Sequence, residues 1–389
     1  MRARVEPFGA WVQLDEPPVL VALDRAASRR AGIDGGARWA EDPPRPSAPL
    51  EVHVAVTARC GAGCQGCYLD ARPEGEVPSF DVIAERLRAL AAAGVFTVAF
   101  GGGEPLSRPD LGALGALARE LGLRVVTTTS GIGMTEARAR ELRAFDQISV
   151  SYDGVGDDYE AVRGYDGART AERAMRLLAA AGVRFGVNVV LTRATFDGVW
   201  DAVLRARSLG AVEAQLLRYK PRGRAASLGY LATRLSQAQV RAVPSLLERL
   251  VAGAGMPIRI DCAMVPFLSG HAEPDALVRW GVLGCEAGRT LAAATVSGEL
   301  SPCSFTEPSG VPVDEVSGAW PTSPSASAHR EHAARAPEPC ASCPVRASCR
   351  GGCRVVATHA GDPWGPDPEC PRVVDHQRQQ RTSVARAPA

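Results

Sequence analysis

Residues 51–68 read EVHVAVTARCGAGCQGCY, and this stretch decides the fold class of the chain. Its first seven residues have the β-branched character of a strand, and a glycine-rich loop with three cysteines follows at once. Similar short runs then alternate with longer Ala, Leu and Arg stretches of helical period. Alternating βα units predict a parallel α/β sheet with helices outside, either doubly wound or closed into a full or partial barrel. The predicted strands are 51–57, 95–101, 123–129, 147–153, 184–192 and 213–219, with a further run at 257–261.

The flanking regions have a different pattern. Residues 1–50 contain one apolar stretch, 19–23, and then a polar, proline-rich one, which predicts a small cap or hairpin leading into a linker. Past residue 262 the βα rhythm stops and cysteine, glycine and proline take over; residues 307–339 read as a long loop and the end of the chain as frayed. We therefore divide the chain into a cap, a core, a cysteine-rich domain and a flexible tail, at 1–50, 51–260, 262–376 and 377–389.

Composition excludes several classes of protein. The 389 residues are 46% hydrophobic and 22% charged, which is too apolar for a disordered chain. No stretch approaches the roughly 18 apolar residues of a membrane span, and a net charge of +1 argues against general binding to nucleic acid or anionic membranes. The first residues lack a secretory signal, so we expect a cytoplasmic protein with reduced thiols. Eleven cysteines in such a compartment indicate metal binding.

The loop after the first strand carries Cys60, Cys64 and Cys67 in a CxxxCxxC arrangement. Three thiolates can bind three irons of a 4Fe-4S cluster and leave the fourth iron open for substrate or cofactor. A zinc site would need a fourth nearby cysteine or histidine, and the nearest histidine, His53, lies inside the strand. Zinc remains the alternative at this point.

This loop, at this place in the fold, resembles the radical S-adenosylmethionine (SAM) superfamily over residues 51–260. The resemblance implies a partial (β/α)6 barrel, a cluster on the three loop cysteines, and an open iron that chelates the amino and carboxylate groups of SAM. One-electron reduction then yields a 5'-deoxyadenosyl radical. The usual motif has an aromatic residue before the third cysteine, where it contacts the adenine; this chain has Gly66 there, and Tyr68 just after.

Further strand ends match the family's cofactor-binding motifs. Residues 101–105 read GGGEP, similar to the GGEP motif at the methionine amino group, and glutamate there neutralises an ammonium. Residues 151–154 read SYDG and resemble the S-x-D-G segment near the ribose and carboxylate. A flexible turn and a surface ion pair are the alternatives. The implied cofactor-binding residues are Gly102, Gly103, Glu104, Ser130, Ser151, Asp153 and Arg163.

Two other groups are candidates. Asn188 and Thr192 on the fifth strand can reach a nucleoside or merely end the strand. Residues 218–224 read RYKPRGR, four cations that either hold an acidic cofactor or peptide or are solvated loop charges. Lys220 is the only lysine of the chain.

The second cysteine cluster matches the seven-cysteine SPASM pattern over residues 262–376. The match implies two auxiliary 4Fe-4S clusters, and hence three in all. One would be bound by Cys285, Cys303 and Cys353, with Cys262 either completing it or serving as a buried structural thiol. A structural zinc domain is the alternative. The other would be bound by Cys340, Cys343, Cys349 and Cys370.

Enzymes that combine these two halves include sulfatase-maturing enzymes and the maturases of pyrroloquinoline quinone and mycofactocin. The resemblance implies an oxidoreductase that modifies a residue of a ribosomally made peptide, supplied with electrons by a low-potential donor such as flavodoxin or ferredoxin. Two alternatives remain: oxidation of a small molecule, such as an amino-sugar alcohol or a tetrapyrrole side chain, and electron transfer without turnover.

Overall fold

The first unit of the molecule is a small antiparallel sheet. The computed structural model describes residues 2–16, 19–41, 46–227, 229–271 and 273–386, without the side chains of 383–386. The sheet consists of β1 (Arg2–Glu6), β2 (Gly9–Leu14) and β3 (Val19–Asp24), and helix α1 (Arg25–Arg30) follows. The structure thus has one strand more than the predicted hairpin. Of the predicted linker, residues 42–45 lie outside the described part.

The central sheet follows the predicted βα rhythm. Its seven core strands are parallel and pair in chain order, each with the next. A doubly wound sheet reverses its strand order in the middle, and this sheet does not, so the doubly wound alternative is excluded. The strands are β4 (Glu51–Thr57), β5 (Thr97–Gly102), β6 (Arg124–Thr129), β7 (Gln147–Ser151), β8 (Phe185–Leu191), β9 (Ala214–Arg218) and β10 (Ile258–Ile260).

The helices between these strands bury one apolar face each against the sheet. In α6, for example, Ala171, Ala174, Met175 and Leu178 are buried at helical spacing and join the main apolar core. Ser79 caps α2 (Phe80–Ala92), because its side chain accepts a hydrogen bond from the Val82 N–H. The helices are α2 (Phe80–Ala92), α3 (Leu111–Glu120), α4 (Glu136–Glu141), α5 (Asp157–Arg163), α6 (Ala168–Ala180), α7 (Val199–Ser208), α8 (Tyr230–Thr233) and α9 (Gln237–Gly253).

The N-terminal sheet contacts the edge of the central sheet at which the parallel strands begin. The Arg2 guanidinium donates to the Val95 carbonyl at 2.7 Å, and the Arg4 guanidinium donates to the Gly94 carbonyl at 2.9 Å. Both carbonyls lie just before β5. The cap therefore lies at the opposite edge from the loops that follow the strands.

The C-terminal region adds three strands to the central sheet. Strand β11 (Leu291–Ala294) pairs in parallel with β4, and β12 (Glu299–Ser301) and β13 (Val311–Pro312) continue antiparallel. The sequence gives no sign of this pairing, because a run of leucine and three alanines has little strand propensity of its own. The helices of this region are α10 (Pro274–Arg279), α11 (Val316–Ala319), α12 (Pro324–Arg335), α13 (Arg346–Cys349), α14 (Arg354–His359) and α15 (Pro371–Arg386).

Two predictions for this region are wrong. Residues 307–339 are not one long loop, since they contain β13, α11 and α12. Ser323 and Pro324 are the cap and first residue of α12, and the Ser323 side chain accepts from the Ala326 N–H. The tail is also not frayed from 377 on, because α15 continues to Arg386, through Gln and Arg residues of good helix propensity.

None of the helices in the described residues has the length and apolar character needed to cross a bilayer.

Candidate functional site

The predicted site residues gather at one edge of the central sheet. In a parallel sheet all strands end at the same edge, and ligands bind in the loops beyond it. The three-cysteine loop (residues 60–67) follows β4, Glu104 follows β5 and Ser130 follows β6. Asp153 follows β7, and residues 219–224 follow β9. The fold therefore brings together segments that are far apart in sequence.

The three-cysteine loop is fixed through its backbone. The Cys60 N–H donates to the Arg72 carbonyl at 2.9 Å. Arg224 donates from its side-chain Nε to the Cys64 carbonyl at 2.8 Å and from its backbone N–H to the Cys67 carbonyl at 2.9 Å. These bonds hold the loop in place while its three thiols stay free and partly exposed.

Cys64 and Cys67 lie close enough to affect the ionisation of the Cys60 thiol. Burial raises the pKa of Cys60, and the negative charges of Glu104, Cys64 and Cys67 raise it further. A bound iron would reverse this balance, because a metal cation stabilises the thiolate form of its ligands. The donor set and its electrostatics thus fit an iron–sulfur cluster.

Glu104 is a buried carboxylate whose partners are all neutral. Its Oε1 accepts from the Thr129 hydroxyl at 2.6 Å and from the Leu106 N–H at 3.1 Å. Its Oε2 accepts from the N–H and the hydroxyl of Ser130, at 2.8 and 2.6 Å. Burial raises the pKa of Glu104, and within the described residues no cationic side chain forms an ion pair with it. A ligand ammonium would offset the cost of this buried charge.

The glycines before Glu104 have a different role from the one expected. A Cβ on Gly102 would lie 2.1 Å from the Thr57 carbonyl oxygen, and Gly102 has a φ of +112°. A Cβ on Gly103 would lie 2.1 Å from the Arg59 carbonyl oxygen, and the Gly103 N–H donates to the Thr57 carbonyl at 2.7 Å. Glycine is needed at both positions because two loops of the protein approach each other here.

Asp153 and Arg163 form a buried pair beside the three-cysteine loop. The Arg163 Nε donates to the Asp153 Oδ2 at 2.5 Å, and Asp153 also accepts from the Val190 N–H at 2.7 Å. Asp153 is fully buried, so the alternative of a surface ion pair is wrong. The Arg163 guanidinium reaches to 3.8 Å from the Cys64 sulfur. Burial lowers the pKa of Arg163, but the charges of Asp153, Tyr159 and Cys64 and the hydrogen bond to Asp153 together raise it by more, which keeps the guanidinium charged.

The two candidates on strand β8 have different environments. Asn188 lies opposite Ser151 in the sheet register, and its buried Oδ1 has no hydrogen-bond partner. Such an unsatisfied acceptor suits a ligand hydroxyl or N–H. Thr192, in contrast, hydrogen bonds the Thr195 hydroxyl at 3.0 Å in the turn after the strand, so it has a structural role.

The cations at the end of β9 and just after it are all paired within the protein. Arg218 and Lys220 are almost enclosed, which contradicts solvated loop charges at these two positions, whereas Arg222 pairs with an exposed carboxylate. The Arg218 guanidinium donates to both oxygens of Asp367, at 2.6 and 3.0 Å, and contacts Glu369 at 2.9 Å. Lys220 donates to Asp261 at 2.5 Å and lies 4.1 Å from the centre of the Phe305 ring. The two remaining cations also have acidic partners, Arg222 with Glu307 and Arg224 with Asp70.

The C-terminal cysteines fall into two sets. The outer set is Cys340, Cys343, Cys349 and Cys370, which line one cavity. Burial raises the pKa of Cys340 to about 12, with Cys370 and Cys343 contributing. These four are the thiols that the SPASM pattern assigns to one cluster.

The inner set is Cys262, Cys285, Cys303 and Cys353. Burial, with the nearby Cys303 and Cys353 contributing, raises the pKa of Cys285 to about 12. Burial also raises the pKa of Cys262, to which Asp261, Cys285 and Cys303 add. Cys262 therefore lies in the electrostatic environment of Cys285 and Cys303.

All eleven cysteines are free thiols. Among the described residues, no three His, Cys, Asp or Glu side chains converge as ligands of a single metal ion. A cubane cluster does not need such convergence, because each cysteine binds a different iron of the cluster.

Comparison with known proteins identifies the class. Residues 54–206 match the model of the Radical SAM superfamily. A PqqA peptide cyclase of Streptomyces rochei is 32% identical over 346 residues, which cover 84% of this chain and 90% of that protein. A mycofactocin maturase MftC of Mycobacterium ulcerans is 30% identical over 339 residues, 83% of this chain and 88% of that protein.

The fold agrees with solved structures. Streptococcus suis SuiB bound to S-adenosylmethionine superposes with a TM-score of 0.74 at 16% identity, covering 95% of this chain and 98% of that chain. This chain therefore shares the fold of SuiB. The chain belongs to the radical SAM superfamily, whose members carry a 4Fe-4S cluster and SAM. Within it, the chain is similar to PqqA peptide cyclases and mycofactocin maturases.

Some residues of this edge carry no signal in the sequence. The Thr129 hydroxyl bonds Glu104, and Tyr219 and Phe305 pack near the cysteines, at the three-cysteine loop and beside Lys220. The pairing of Asn188 with Ser151 could have been found from the register of neighbouring strands. The contacts of Tyr219 and Phe305 depend on loops whose course the sequence does not reveal.

Proposed function

We propose that this chain is a radical SAM maturase that oxidatively modifies a residue of a ribosomally made peptide. The observation that carries the proposal is the 32% identity to a PqqA peptide cyclase along 84% of the chain, together with cysteines that gather in three sets. The name of that relative includes its peptide substrate, and SuiB has been solved bound to its precursor peptide SuiA. The proposed domain limits are 1–50 for the cap and linker, 51–260 for a core that forms a partial (β/α)6 barrel, and 262–376 for the cysteine-rich domain, with α15 extending past the last limit.

At the radical centre, Cys60, Cys64 and Cys67 would bind the first cluster. When bound, the cluster and SAM supply a 5'-deoxyadenosyl radical that abstracts hydrogen from the substrate. Glu104 lacks a cationic partner and would take the methionine ammonium. Arg163 is held charged by Asp153 and would orient the methionine carboxylate.

The nucleoside part of SAM would be bound by the neighbouring strand ends. The buried Asn188 Oδ1 has no partner and would accept from a ribose hydroxyl. Ser151 lies opposite it in the register of the sheet, and Ser130 bonds Glu104. In this proposal Gly102 and Gly103 act indirectly, because they allow the Glu104 turn to pack against the loop after β4.

The C-terminal region would be a SPASM domain with two auxiliary 4Fe-4S clusters. The cavity lined by Cys340, Cys343, Cys349 and Cys370 supports one of them. The effect of Cys285 and Cys303 on Cys262 supports Cys262 as the fourth ligand of the other cluster, beside Cys353. A substrate radical must lose one more electron to become an oxidised product, and auxiliary clusters can accept it. A low-potential donor such as flavodoxin or ferredoxin would reduce the enzyme in the cytoplasm.

The test combines the anaerobically reconstituted enzyme, SAM and a reductant with the short peptide encoded beside its gene. We expect 5'-deoxyadenosine and a peptide lighter by two hydrogens or carrying a new cross-link, both absent in the Cys60→Ala/Cys64→Ala/Cys67→Ala variant. An unmodified peptide would contradict the proposal. Formation of 5'-deoxyadenosine stimulated only by an amino-sugar alcohol or a tetrapyrrole would favour small-molecule oxidation instead.

A further inference from the structure

The ring of Tyr219 occupies the space beside Gly66, between the second and third cysteines of the loop. A Cβ on Gly66 would lie 2.7 Å from Cε2 and 2.9 Å from the hydroxyl oxygen of Tyr219. Gly61 lies in the same loop, and a Cβ there would meet nothing within 4 Å. The contact therefore belongs to position 66 and is not a general property of the loop.

Tyr219 reaches this place because it directly follows β9, at the same edge of the sheet as the loop. Its ring stacks on Tyr230, with centroids 5.9 Å apart and planes inclined by 16°. Tyr230 is itself buried, and its hydroxyl donates to Glu369 at 2.6 Å. A fixed neighbour thus supports the Tyr219 ring from one face, while Tyr219 remains partly exposed.

We propose that Tyr219 supplies the aromatic surface that binds the adenine of SAM, in place of the side chain that Gly66 lacks. A rigid, partly exposed ring beside the cluster cysteines offers the flat apolar face on which a nucleic acid base stacks, which contributes about 1–3 kcal/mol per base. The proposal rests on the proposed function, because it requires that SAM binds at this loop. It makes a residue some 150 positions beyond the loop part of the cofactor site.

The first experiment measures SAM affinity of the reconstituted full chain by anaerobic equilibrium dialysis. We expect Tyr219→Leu to raise the Kd for SAM about tenfold or more, from the loss of stacking. Iron content should stay at the wild-type level, and the conservative Tyr219→Phe should restore most of the affinity. The EPR spectrum of the reduced cluster should respond to added SAM in wild type and Tyr219→Phe, and much less in Tyr219→Leu.

A second pair of variants leaves Tyr219 itself in place. Gly66→Ala puts a methyl group where the ring lies, so the ring must move and SAM affinity should fall. Gly61→Ala is the matched control, because the same added methyl meets open space and Gly61 does not have a positive φ. The double variant Gly66→Phe/Tyr219→Ala, which returns an aromatic side chain to the loop and removes the competing ring, should regain affinity over Tyr219→Ala.

Unchanged SAM affinity in both Tyr219→Leu and Gly66→Ala, with iron retained, would overturn the proposal. Should Tyr219→Leu fail to fold, Gly66→Ala against Gly61→Ala decides. Equal losses in those two alanine variants would also count against it, since they would report general disturbance of the loop. A wild-type enzyme that takes up iron but binds no SAM would instead refute the proposed function, so the two failures are distinguishable.

Discussion

The three-cysteine loop and the C-terminal cysteine sets place the same side chain in different surroundings. The thiols of Cys60, Cys64 and Cys67 are partly exposed in a loop held by backbone hydrogen bonds. Of the eight C-terminal cysteines, Cys349, Cys353 and Cys370 are buried and the other five are partly exposed, whereas none of the loop cysteines is buried. A cluster that exchanges a ligand needs access from outside, whereas one that only carries electrons is better enclosed. In the proposed function, ligand binding therefore belongs to the loop.

The end of β9 and the segment after it connect these two regions. Arg218 is buried and the Lys220 side chain is only 9% exposed, and they pair with carboxylates next to the C-terminal cysteines, at Asp367 and Asp261. On the other side, Arg224 holds the backbone of the three-cysteine loop. One short stretch of chain therefore fixes the position of both cysteine regions, which makes it the point at which their division of roles can be tested.

The largest expected effect on activity comes from replacing cysteines of the loop or of the C-terminal region by alanine, in separate variants. Cys60→Ala/Cys64→Ala/Cys67→Ala should abolish formation of 5'-deoxyadenosine, because no iron remains to bind SAM. Cys340→Ala/Cys343→Ala should keep substrate-independent formation of 5'-deoxyadenosine but lose the peptide product. Each variant should lose about four of about twelve irons per chain. Iron analysis and chromatography of the nucleoside check both expectations.

Equal loss of SAM cleavage in the two variants would remove the distinction between the regions. About one zinc per site in the wild type, with no nucleoside formed, would replace the cluster assignment by a structural zinc domain.

The next largest effect is expected at the buried ion pair between the regions. Arg218→Met leaves the buried carboxylates of Asp367 and Glu369 without their main cation, which should reduce the free energy of unfolding by about 3–5 kcal/mol. Arg222→Met is the matched control, because Arg222 and its partner Glu307 are both more exposed; its effect should stay within about 1 kcal/mol. Chemical denaturation of the two variants measures the difference between their losses of unfolding free energy. Similar losses in both would contradict a buried ion pair that connects the two cysteine regions.

The sequence was sufficient for the βα order and for the grouping of the cysteines, since both depend on local period and spacing. It was insufficient for the buried ion pairs that connect the two cysteine regions. Arg218 meets Asp367, which lies 149 residues further along the chain, and Lys220 meets Asp261 across 41 residues. The sequence pattern around these cations is that of a solvated loop, and only the tertiary fold supplies their partners. The alanine-rich β11 was missed for the same reason. Its low strand propensity is outweighed by its pairing with β4, which only the tertiary fold reveals.

A smaller effect is expected at Glu104, and it tests whether the loop edge is built to receive a cation. Glu104→Gln removes the charge that would bind the SAM ammonium, so the Kd for SAM should rise about 10- to 150-fold. Some loss of stability should accompany it, because one amide N–H would then face the N–H of Leu106 or Ser130. Isothermal titration under anaerobic conditions gives the Kd.

Thr129→Val is the control for that experiment, since it removes one hydrogen bond to the same carboxylate and keeps its charge. Its effect on the Kd should be clearly smaller. Affinity that is unchanged in Glu104→Gln, with iron retained, would show that the buried carboxylate serves the fold alone.

The smallest effect is a loss of stability at low pH, and it should be larger in the C-terminal region than in the central sheet. Burial lowers the pKa of His329 in α12 to about 4, from about 6.5 in the unfolded chain. The folded state therefore gives up stability as the pH falls from 6.5 towards 4, because the unfolded chain takes up the proton first. At pH 5.5 the loss should be about 1 kcal/mol. Hydrogen exchange, corrected for intrinsic rates, should show earlier opening of α12 than of the central sheet. His329→Phe should reduce the difference, and His332 in the same helix, whose pKa burial also lowers, should account for the rest. A central sheet that opens in step with α12 at pH 5.5 would mean that the two regions unfold as one cooperative unit.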